Sequence, residues 1–324
     1  MRKTAWLAAL AGVCALIAPG LAAAQAWPSK PVHIVVGFAP GGPTDTVTRL
    51  AAAGMTTALG QPVIVENRPG AGGNLAAEYV AKAPPDGYTM LVGGTGPLTV
   101  NDALYSNLPF HPEKSFTFVA MTAVTPLVFA INPDVPAQSL KEFVAYAKAN
   151  PGKINFGSPG VGVSTHFAAE MFQSQAGIQG QHVPYRSGSL LIDGLMKGEV
   201  HWCFDSILTI QPQHKTGKLR ALAVAGDKRW PSWPEIPTME EQGYKDMVVM
   251  AWFALVGPTG MPEPIVKRLN EETNKALAAP DAKERLTNIG FAAAPMTPGE
   301  VAKYVAAERA RWLKVAKDHN IKVE

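Results

Sequence analysis

Apolar and polar positions along the chain form blocks that predict strands and helices in alternation. The apolar run VHIVV, at residues 32–36, predicts a buried strand, and the amphipathic run at residues 44–59 predicts a helix that stops at Gly60. The runs PVIVEN, NLAAEYVAKA and YTMLVGG then predict a strand, a helix and a third strand. This β-α-β-α-β order is typical of a mostly parallel sheet with helices on both faces.

The same alternation restarts in the middle of the chain. SLKEFVAYAKAN predicts a helix that begins with a capping box between Ser139 and Glu142, and KINFGS predicts the strand that follows it. Two such units predict two α/β lobes, the first formed by residues 27–127 and 250–324 and the second by residues 128–249. We interpret the apolar stretches FTFVAMTAVTPLVFAINP and MVVMAWFALVGPTG as paired crossings between the lobes. The two C-terminal helices are expected to return to the first lobe.

Each predicted lobe has a strand that runs through a glycine turn into a helix. The turn is FAPGGPTD, at residues 38–45, in the first lobe and FGSPGVGVSTH, at residues 156–166, in the second. In open α/β sheets, ligands bind beyond the carboxyl ends of the strands, where unpaired amides and helix dipoles attract anions. We therefore expect the two turns to grip the two ends of a small anion across a cleft. The alternative is that glycine and proline merely shape the two connections.

Sequence signatures of nucleotide binding and of catalysis are missing from the chain. GSPGVGVS has the glycines and the final Ser164 of a phosphate loop, but Val163 stands where that loop requires lysine. Neither turn contains G-x-G-x-x-G, and the chain has no G-x-S-x-G elbow and no H-E-x-x-H motif. We therefore predict a protein that is not an enzyme and that uses no cofactor and no metal. A hydrolase that uses Ser164 and His166 is a less favoured alternative, because the sequence places no acidic partner beside them.

Several polar residues of the second half admit more than one interpretation. Asp205, which ends the run HWCFD, either orients a ligand or caps a helix that starts at Ser206. His166 and Glu170 are one helical turn apart, so they are either two metal ligands or, in the interpretation we favour, a residue of the turn and a solvated acid. Cys203 lies inside an apolar strand and is expected to be inert core.

The N-terminus predicts export. A charged start, MRK, precedes an apolar run that ends at AQA, and this small-x-small pattern is typical of a signal peptide cleaved after Ala26 rather than of a retained membrane helix. Cleavage removes Arg2, Lys3 and Cys14, which lowers the formal charge from +3 by two, to +1, and leaves a single cysteine. We therefore expect a periplasmic protein without an internal disulfide. A nearly neutral chain also argues against a nucleic-acid partner.

Seven segments of the chain resemble a known family, and together they span nearly the whole sequence after Trp27. They are WPSKPVHIVVGFAPGGPTD, LGQPVIVENRPGAGGN, APPDGYTMLVG, INFGSPGVG, HVPYR, GKLRALAV and IPTMEEQGY. The chain resembles the substrate receptors of tripartite tricarboxylate transporters, also called Bug receptors. The resemblance implies a two-lobed α/β fold, of the type II periplasmic-binding-protein kind, with a ligand cleft between the lobes. It also implies a small organic acid as ligand (a mono- or dicarboxylate, aromatic acids and amino acids included), an integral membrane permease as partner, and a monomer.

The resemblance also implies which residues contact the ligand. The family's first carboxylate turn corresponds to Phe38, Ala39, Gly41, Gly42, Thr44 and Asp45. Its second turn corresponds to Ser158, Gly160, Gly162, Ser164, Thr165 and His166. Asp205 matches a polar residue of the cleft on the second lobe. These residues coincide with the two glycine turns that the strand and helix pattern marks as an anion site.

The chain departs from the family pattern at two places. Val163 stands where a hydroxyl residue is expected, so one hydrogen bond to the ligand is missing. After HVPYR, Leu190 and Leu191 replace the usual small residues and proline, which predicts a more apolar wall. We therefore expect a less polar acid, such as an aromatic or branched monocarboxylate, in place of a dicarboxylate. Two other classes stay open: a sensory module that hands the same acid to a signalling partner, and a structural exported protein without a ligand.

Overall fold

The computed structural model describes residues 27–319 and residue 321 of the 324-residue chain. The predicted signal peptide and its cleavage site after Ala26 lie outside these residues. No helix in the described part of the chain combines the length and the apolar character that are needed to cross a membrane.

The first part of the described chain folds as the predicted alternating unit. Its elements are β1 (Val32–Val36), α1 (Pro43–Leu59), β2 (Val63–Asn67), α2 (Asn74–Ala81), β3 (Thr89–Gly93) and α3 (Asn101–Leu104). β1 pairs in parallel with β2 on one side and with β3 on the other. The carboxyl ends of these strands therefore lie at one edge of the sheet, together with the turns that follow them. A π-helical turn at Gly96–Val100, which is not among the elements predicted above, joins β3 to α3.

The middle of the chain repeats the alternation. Its elements are β4 (Phe116–Ile131), α4 (Leu140–Ala149), β5 (Phe156–Ser158), α5 (Ser164–Ala176), β6 (His182–Pro184), α6 (Gly188–Met196), β7 (Trp202–Ser206), α7 (Ile207–Lys215) and β8 (Arg220–Val224). β5 pairs in parallel with β6 and with β7. At the start of α4, Ser139 Oγ accepts from the Glu142 amide at 3.2 Å, as predicted. The Glu142 carboxylate reaches one residue further back than in a standard capping box and accepts from the Gln138 amide at 2.8 Å.

The last part of the chain returns to the first sheet. Its elements are β9 (Met250–Pro258), α8 (Glu263–Ala278), α9 (Pro280–Asn288), β10 (Ala292–Ala293) and α10 (Pro298–Asp318). β9 lies between β3 and β4 and is antiparallel to both, while α8 packs against α1. The resulting strand order is β2-β1-β3-β9-β4-β7-β5-β6, with β8 and β10 also paired to β4. We call the part built on β1–β3 the first lobe and the part built on β5–β8 the second lobe.

β4 and β9 cross between the lobes side by side, as the two apolar stretches predict. Residues 116–126 of β4 pair with β9, and residues 127–131 pair with β7 of the second lobe. Pro126, which has no amide proton, lies where β4 changes partner, and next to it Leu127 N donates to Val249 O at 3.2 Å. The strands β4 and β9 therefore form one connection between the lobes.

Burial of both faces explains why β4 is apolar throughout its second half. Leu127 and Phe129 belong to one core of the second lobe, and Val128 and Ala130 belong to the other. Successive side chains of a strand point to opposite faces, so a strand that is covered on both faces has no polar alternation. Cys203 belongs to the second of these cores and is a buried free thiol, as predicted.

The helix α10 packs on both lobes, which departs from the expectation that it returns to the first. Its Trp312 ring is fully buried and stacks on Phe167 of α5, with the centroids 5.1 Å apart. Arg311 donates to Val248 O at 2.6 Å. A helix of 21 residues extends about 30 Å, which is long enough to bridge two lobes. The predicted lobe boundaries at residues 127 and 250 stay a prediction.

Candidate ligand-binding site

A cavity of about 250 Å³ lies between the two lobes, at the edge where the parallel strands end. This volume is small among the ligand pockets of proteins, so the cavity suits a small molecule. Both lobes and the two crossing strands form its wall. The lining residues are 38–44 and 94–97 of the first lobe, 159, 163–165, 188–189, 205–206 and 209 of the second lobe, and 127 and 251–253 of the crossing strands.

Five helical segments begin at this cavity. α1, the π-helical turn, α5, α6 and α7 each contribute residues of their first turn to the lining. The N-cap residues of α1, α5 and α7, which are Gly42, Val163 and Ser206, make no side-chain hydrogen bond to the first-turn amides. These amides and the aligned helix dipoles create a positive potential. No Lys, Arg or His is found among the described residues that line the cavity, so the attraction for an anion comes from the main chain.

Asp45 and Asn67 hold the turn after β1 from behind. Asp45 Oδ2 accepts from Gly41 N and from Arg49 Nε, each at 2.9 Å, and Oδ1 accepts from Asn67 Nδ2 at 2.9 Å. Asn67 Nδ2 also donates to Phe38 O at 3.0 Å, so both ends of the turn are fixed. Five of the six residues predicted at this turn line the cavity, while Asp45 does not: they are Phe38, Ala39, Gly41, Gly42 and Thr44.

Asp45 is ionised, and its charge strengthens the hydrogen bonds that hold the turn after β1. Burial opposes its ionisation, but hydrogen bonds from Arg49, Gly41 and Asn67 outweigh burial and hold the pKa of the Asp45 carboxyl below its ordinary value. The carboxylate is therefore charged at neutral pH, and its hydrogen bonds point to the turn and to Arg49. This geometry gives Asp45 a positioning role.

A pair of histidines supports the second turn. Ser158 Oγ donates to Gly160 O at 2.6 Å and lies 2.7 Å from His182 Nε2. Because the single hydroxyl proton is used on the carbonyl, His182 Nε2–H must be the donor to Ser158 Oγ. His166 Nδ1 accepts from Gly162 N at 3.3 Å, and its ring stacks on His182 with the centroids 3.9 Å apart. The two rings thus fix the glycine turn from the side opposite the cavity.

Both histidines are engaged in this support and not in the cavity. Burial, with a smaller effect of the neighbouring His166, lowers the pKa of His182 to about 3, so that ring is neutral at physiological pH. Ser164 and Thr165 line the cavity. The other four residues predicted at the second turn are not among the lining residues: they are Ser158, Gly160, Gly162 and His166.

His166 faces Glu170, as the helical spacing predicts. Its Nε2 lies 3.5 Å from Glu170 Oε1, while Nδ1 accepts from the Gly162 amide. Both ring nitrogens are therefore occupied away from Ser164. No group of three or more His, Cys, Asp or Glu side chains that could hold a metal is found in the described part of the chain. Within that part, His166 and Glu170 lack a third metal ligand.

The two lobes touch beside the cavity through glycine backbones. A Cβ on Gly160 would lie 3.2 Å from Gly72 Cα, and a Cβ on Gly72 would lie 3.2 Å from Val161 O. A Cβ on Gly96 would lie 3.2 Å from Gly162 O. Side chains at these positions would push the backbones apart, so glycine permits the lobes to meet here. Gly72, in the loop before α2, also has a φ of +62°, which disfavours any other residue.

Asp205, at the end of β7, lines the cavity and is 4% exposed. Its Oδ1 accepts from the Ser206 amide at 2.6 Å, at the start of α7. Within the described residues its Oδ2 has no hydrogen-bond partner, and neither has the buried Oγ1 of Thr165. Burial raises the pKa of Asp205 to about 6, although the Ser206 amide and the nearby hydroxyls of Thr209 and Ser206 oppose the shift. The Thr209 hydroxyl itself donates to Ser206 O at 2.9 Å. Asp205 thus contacts the start of α7 with Oδ1, while its Oδ2 stays unpaired among the described residues.

Part of the lining was not predicted from the sequence. The turn GGTGP follows β3 and has the same order of strand, glycines and helix as the two predicted turns. The sequence therefore contained a signal for this turn that the prediction did not use. Trp252 and Phe253 had no such signal, because the pairing of β9 with β3 and β4 brings them to the cavity. Glu308 of α10 fixes the Trp252 ring by accepting from its Nε1 at 2.9 Å.

The prediction of an apolar wall at Leu190 and Leu191 is wrong. Leu191 is fully buried in a core of the second lobe, and Leu190 is 49% exposed and outside the cavity. α6 reaches the cavity only with its first two residues, Gly188 and Ser189, because its remaining turns run along the second lobe. Val163 does line the cavity with an apolar side chain, and the crossing strands add Leu127, Ala251, Trp252 and Phe253 to its apolar wall.

The sequence matches the family model of the tripartite tricarboxylate transporter family receptors over residues 47–321. The chain is similar to protein BugT of Bordetella pertussis, with 32% identity over 317 residues that cover 98% of this chain and 96% of BugT.

Two solved structures of Rhodopseudomonas palustris proteins share the fold. Rpa4515 with adipate is 34% identical, with a TM-score of 0.88 over 91% of this chain and 99% of that chain. MatC (Rpa3494) with bound malate is 36% identical, with a TM-score of 0.84 over 89% of this chain and 99% of that chain. These matches include both lobes, so the two-lobed periplasmic-binding-protein fold that the sequence predicted is confirmed.

Replacing Asp205 with Asn is expected to stabilise the unliganded protein at neutral pH. The folded-state pKa of about 6 is above the ordinary value of 3.8, so the folded state binds the extra proton between these pH values and loses stability as the pH rises through them. The gain should be about 1–3 kcal/mol at neutral pH and should vanish near pH 4. Urea unfolding at both pH values measures it.

The matched control is Asp193→Asn, which removes the same charge from an exposed position of α6. It should leave the free energy of unfolding nearly unchanged at both pH values. Equal stability of Asp205→Asn and the wild type at neutral pH would contradict an uncompensated buried charge.

Replacing Asp45 with Ala should weaken binding of any carboxylate ligand about tenfold or more, although Asp45 does not line the cavity. The first turn loses the acceptor of the Gly41 amide, and Asn67 loses one of its two partners. Asp45→Asn keeps a carbonyl for Gly41 and should retain more affinity. Calorimetry measures the affinity of the wild type and of both variants for a carboxylate. An affinity of Asp45→Ala equal to that of the wild type would remove Asp45 from the site.

Proposed function

Because the chain belongs to the tripartite tricarboxylate transporter receptor family, also called the Bug receptors, we propose that it is an extracytoplasmic solute receptor for a small organic carboxylate. The observation that supports this proposal is the convergence of five helix starts on one small cavity without a cationic side chain. Uncapped first-turn amides are good donors to a carboxylate and carry no counter-ion of their own.

Capture proceeds by closure of the lobes around the ligand. A carboxylate accepts from the amides of one turn, and the other end of the ligand meets the turn of the opposite lobe. Contacts such as those of Gly72 with Val161 and Gly160 require the lobes to be close, so a ligand that bridges the cavity shifts the equilibrium towards the closed form. We place the bend in the crossing strands near Pro126 and Val249, where β4 exchanges its pairing with β9 for pairing with β7.

The relatives support the ligand class and the partner. The two similar proteins of Rhodopseudomonas palustris were solved with adipate and with malate, which are both small carboxylates. We extend this ligand class to the present chain and propose that it works in the periplasm. The closed receptor is then recognised by the membrane permease of a tripartite tricarboxylate transporter. A monomer suffices for this role, because one chain supplies both sides of the cavity.

The geometry favours binding over hydrolysis. A serine hydrolase needs a base whose ring nitrogen faces the nucleophile. His166 instead uses Nδ1 for the Gly162 amide and directs Nε2 towards Glu170. A sensory receptor for the same acid would have the same cavity, so its distinction from a transport receptor lies in the partner that binds the closed form.

A thermal-shift panel tests the proposal on residues 27–324. The panel contains mono- and dicarboxylates, aromatic acids and acidic amino acids, with nucleotides as controls. A ligand at about 100 times its Kd adds about 2.7 kcal/mol. This raises the melting temperature by about 2–4 °C per kcal/mol for a chain of this size. We expect shifts with a few acids and none with nucleotides, and a protein that no acid shifts, even after unfolding and refolding, would contradict the proposal.

Replacing Gly72 with Ala tests closure. The new Cβ would meet Val161 O of the opposite lobe at 3.2 Å, so the closed form should be disfavoured and affinity should fall about tenfold. Gly60→Ala is the matched control, because Gly60 has a similar φ of +66° and nothing within 4 Å of its added Cβ. Both variants carry the same backbone strain, but only Gly72→Ala should lose affinity. A parallel loss in both would assign the effect to strain instead of closure.

A further inference from the structure

The cavity contains one feature that conflicts with a site for simple anions. Asp205 is the only ionisable residue among the described residues that line it. A carboxylate in the wall of a cavity that attracts carboxylates repels part of any plain acid that enters. The main-chain amides therefore explain how the site attracts an anion, but they do not explain why Asp205 is there.

Asp205 has one satisfied and one unsatisfied oxygen. Oδ1 accepts from the Ser206 amide at 2.6 Å, and Oδ2 has no partner among the described residues although it is buried. The neighbouring lining residue is Gly188, where an added Cβ would lie 3.8 Å from Oδ2. Gly188 has no side chain that could donate to this oxygen.

A second unpaired polar atom belongs to a residue that lines the same cavity. Thr165 is 7% exposed, and its buried Oγ1 makes no hydrogen bond within the described part of the chain. A buried polar group without a partner is costly, and a charged one more so. A hydroxyl can accept as well as donate, whereas an ionised carboxylate can only accept. The group that satisfies Asp205 must therefore be a hydrogen-bond donor.

From these two unpaired groups we infer that Asp205 selects ligands that carry a hydroxyl or ammonium donor in addition to their carboxylate. This inference rests on the proposed function. The carboxylate of the ligand takes the uncapped amides of the helix starts, and its donor takes Asp205 Oδ2. Thr165 Oγ1 is available as a further partner at the start of α5. A plain acid of the same size leaves Asp205 unpaired and brings no compensating donor.

Matched series of acids test this inference by calorimetry at neutral pH. The first series is succinate, malate and aspartate, and the second is 3-phenylpropionate, 3-phenyllactate and phenylalanine. In the wild type, the hydroxy or amino member of at least one series should bind about tenfold or more tightly than the plain member, as a hydrogen bond to a charged group provides. A preference for both members supports selection of a donor, and a preference confined to the amino member supports selection of a cation by the same carboxylate.

The variants Asp205→Asn and Asp193→Asn distinguish the loss of the carboxylate in the cavity from the general loss of one negative charge. Asn keeps an acceptor for the Ser206 amide and places an N–H donor near the position of Oδ2. The preference for the amino member should therefore fall about tenfold or invert in Asp205→Asn, because its ammonium group can only donate and meets an N–H in place of a carboxylate. The preference for the hydroxy member should fall less, because a hydroxyl can also accept from the new N–H. Asp193→Asn, on the exposed face of α6, should keep the wild-type preference.

Two results would overturn the inference. One is a wild type that binds the plain acid of each series as tightly as its hydroxy and amino counterparts, and the other is an unchanged preference in Asp205→Asn. Either result leaves the proposed receptor function intact, because acids still bind. If no acid of either series or of the thermal-shift panel binds, the proposed function itself fails, and the inference fails with it.

Discussion

The cavity offers main-chain amides to its ligand, and this constraint shapes the rest of the site. An amide reaches a ligand only where no side chain stands between them, so the turns at the cavity consist of Gly, Pro and small residues. The amides must also be left free by the protein. α1, α5 and α7 accordingly begin without side-chain caps, although α6, which also begins at the cavity, is capped by Ser187, whose hydroxyl accepts from the Leu190 amide. Polar side chains such as Asp45 and Ser158 act behind the turns, where they fix the backbone without blocking it.

Amides from two lobes can serve one ligand only if the lobes are held at a defined separation. The paired strands β4 and β9 provide the connection, and α10 adds a second one. Arg309 anchors α10 to the first lobe through a two-pronged ion pair with Asp102, at 2.7 and 2.8 Å, and Trp312 anchors it to the second by stacking on Phe167. Between these anchors Glu308 accepts from Trp252 of the cavity wall. A relative movement of the lobes must therefore be carried by the crossing strands and α10 together, which couples the wall of the cavity to the hinge.

The sequence predicted those parts of the site that depend on local pattern. A strand, a glycine turn and a helix start are adjacent in the chain, so the turns at residues 38–45 and 156–166 could be found without a structure. Local pattern could not distinguish a lining residue from a supporting one, since Asp45 and Thr44 are neighbours that point to different sides. It also could not place Trp252, which depends on pairing between distant strands. Leu190 shows the opposite error, in which a residue next to the site in sequence faces solvent.

Asp205 is the point where stability and binding make opposite demands. Elsewhere in the site, buried polar side chains such as Asp45 and Ser158 find partners within the protein, and each of them stabilises the fold. Among the described residues, Asp205 Oδ2 and Thr165 Oγ1 have no such partner, although both side chains belong to the wall of a small cavity. Folded proteins break local rules of stability, such as the pairing of buried polar groups, chiefly at functional sites. The unpaired group at Asp205 is a carboxylate, which can only accept hydrogen bonds when it is ionised. In a cavity whose other groups donate, it pairs only with those anions that also carry a hydrogen-bond donor. In the proposed function, the amides account for affinity towards carboxylates as a class, and in the inference drawn from Asp205, its unpaired carboxylate accounts for choice within that class.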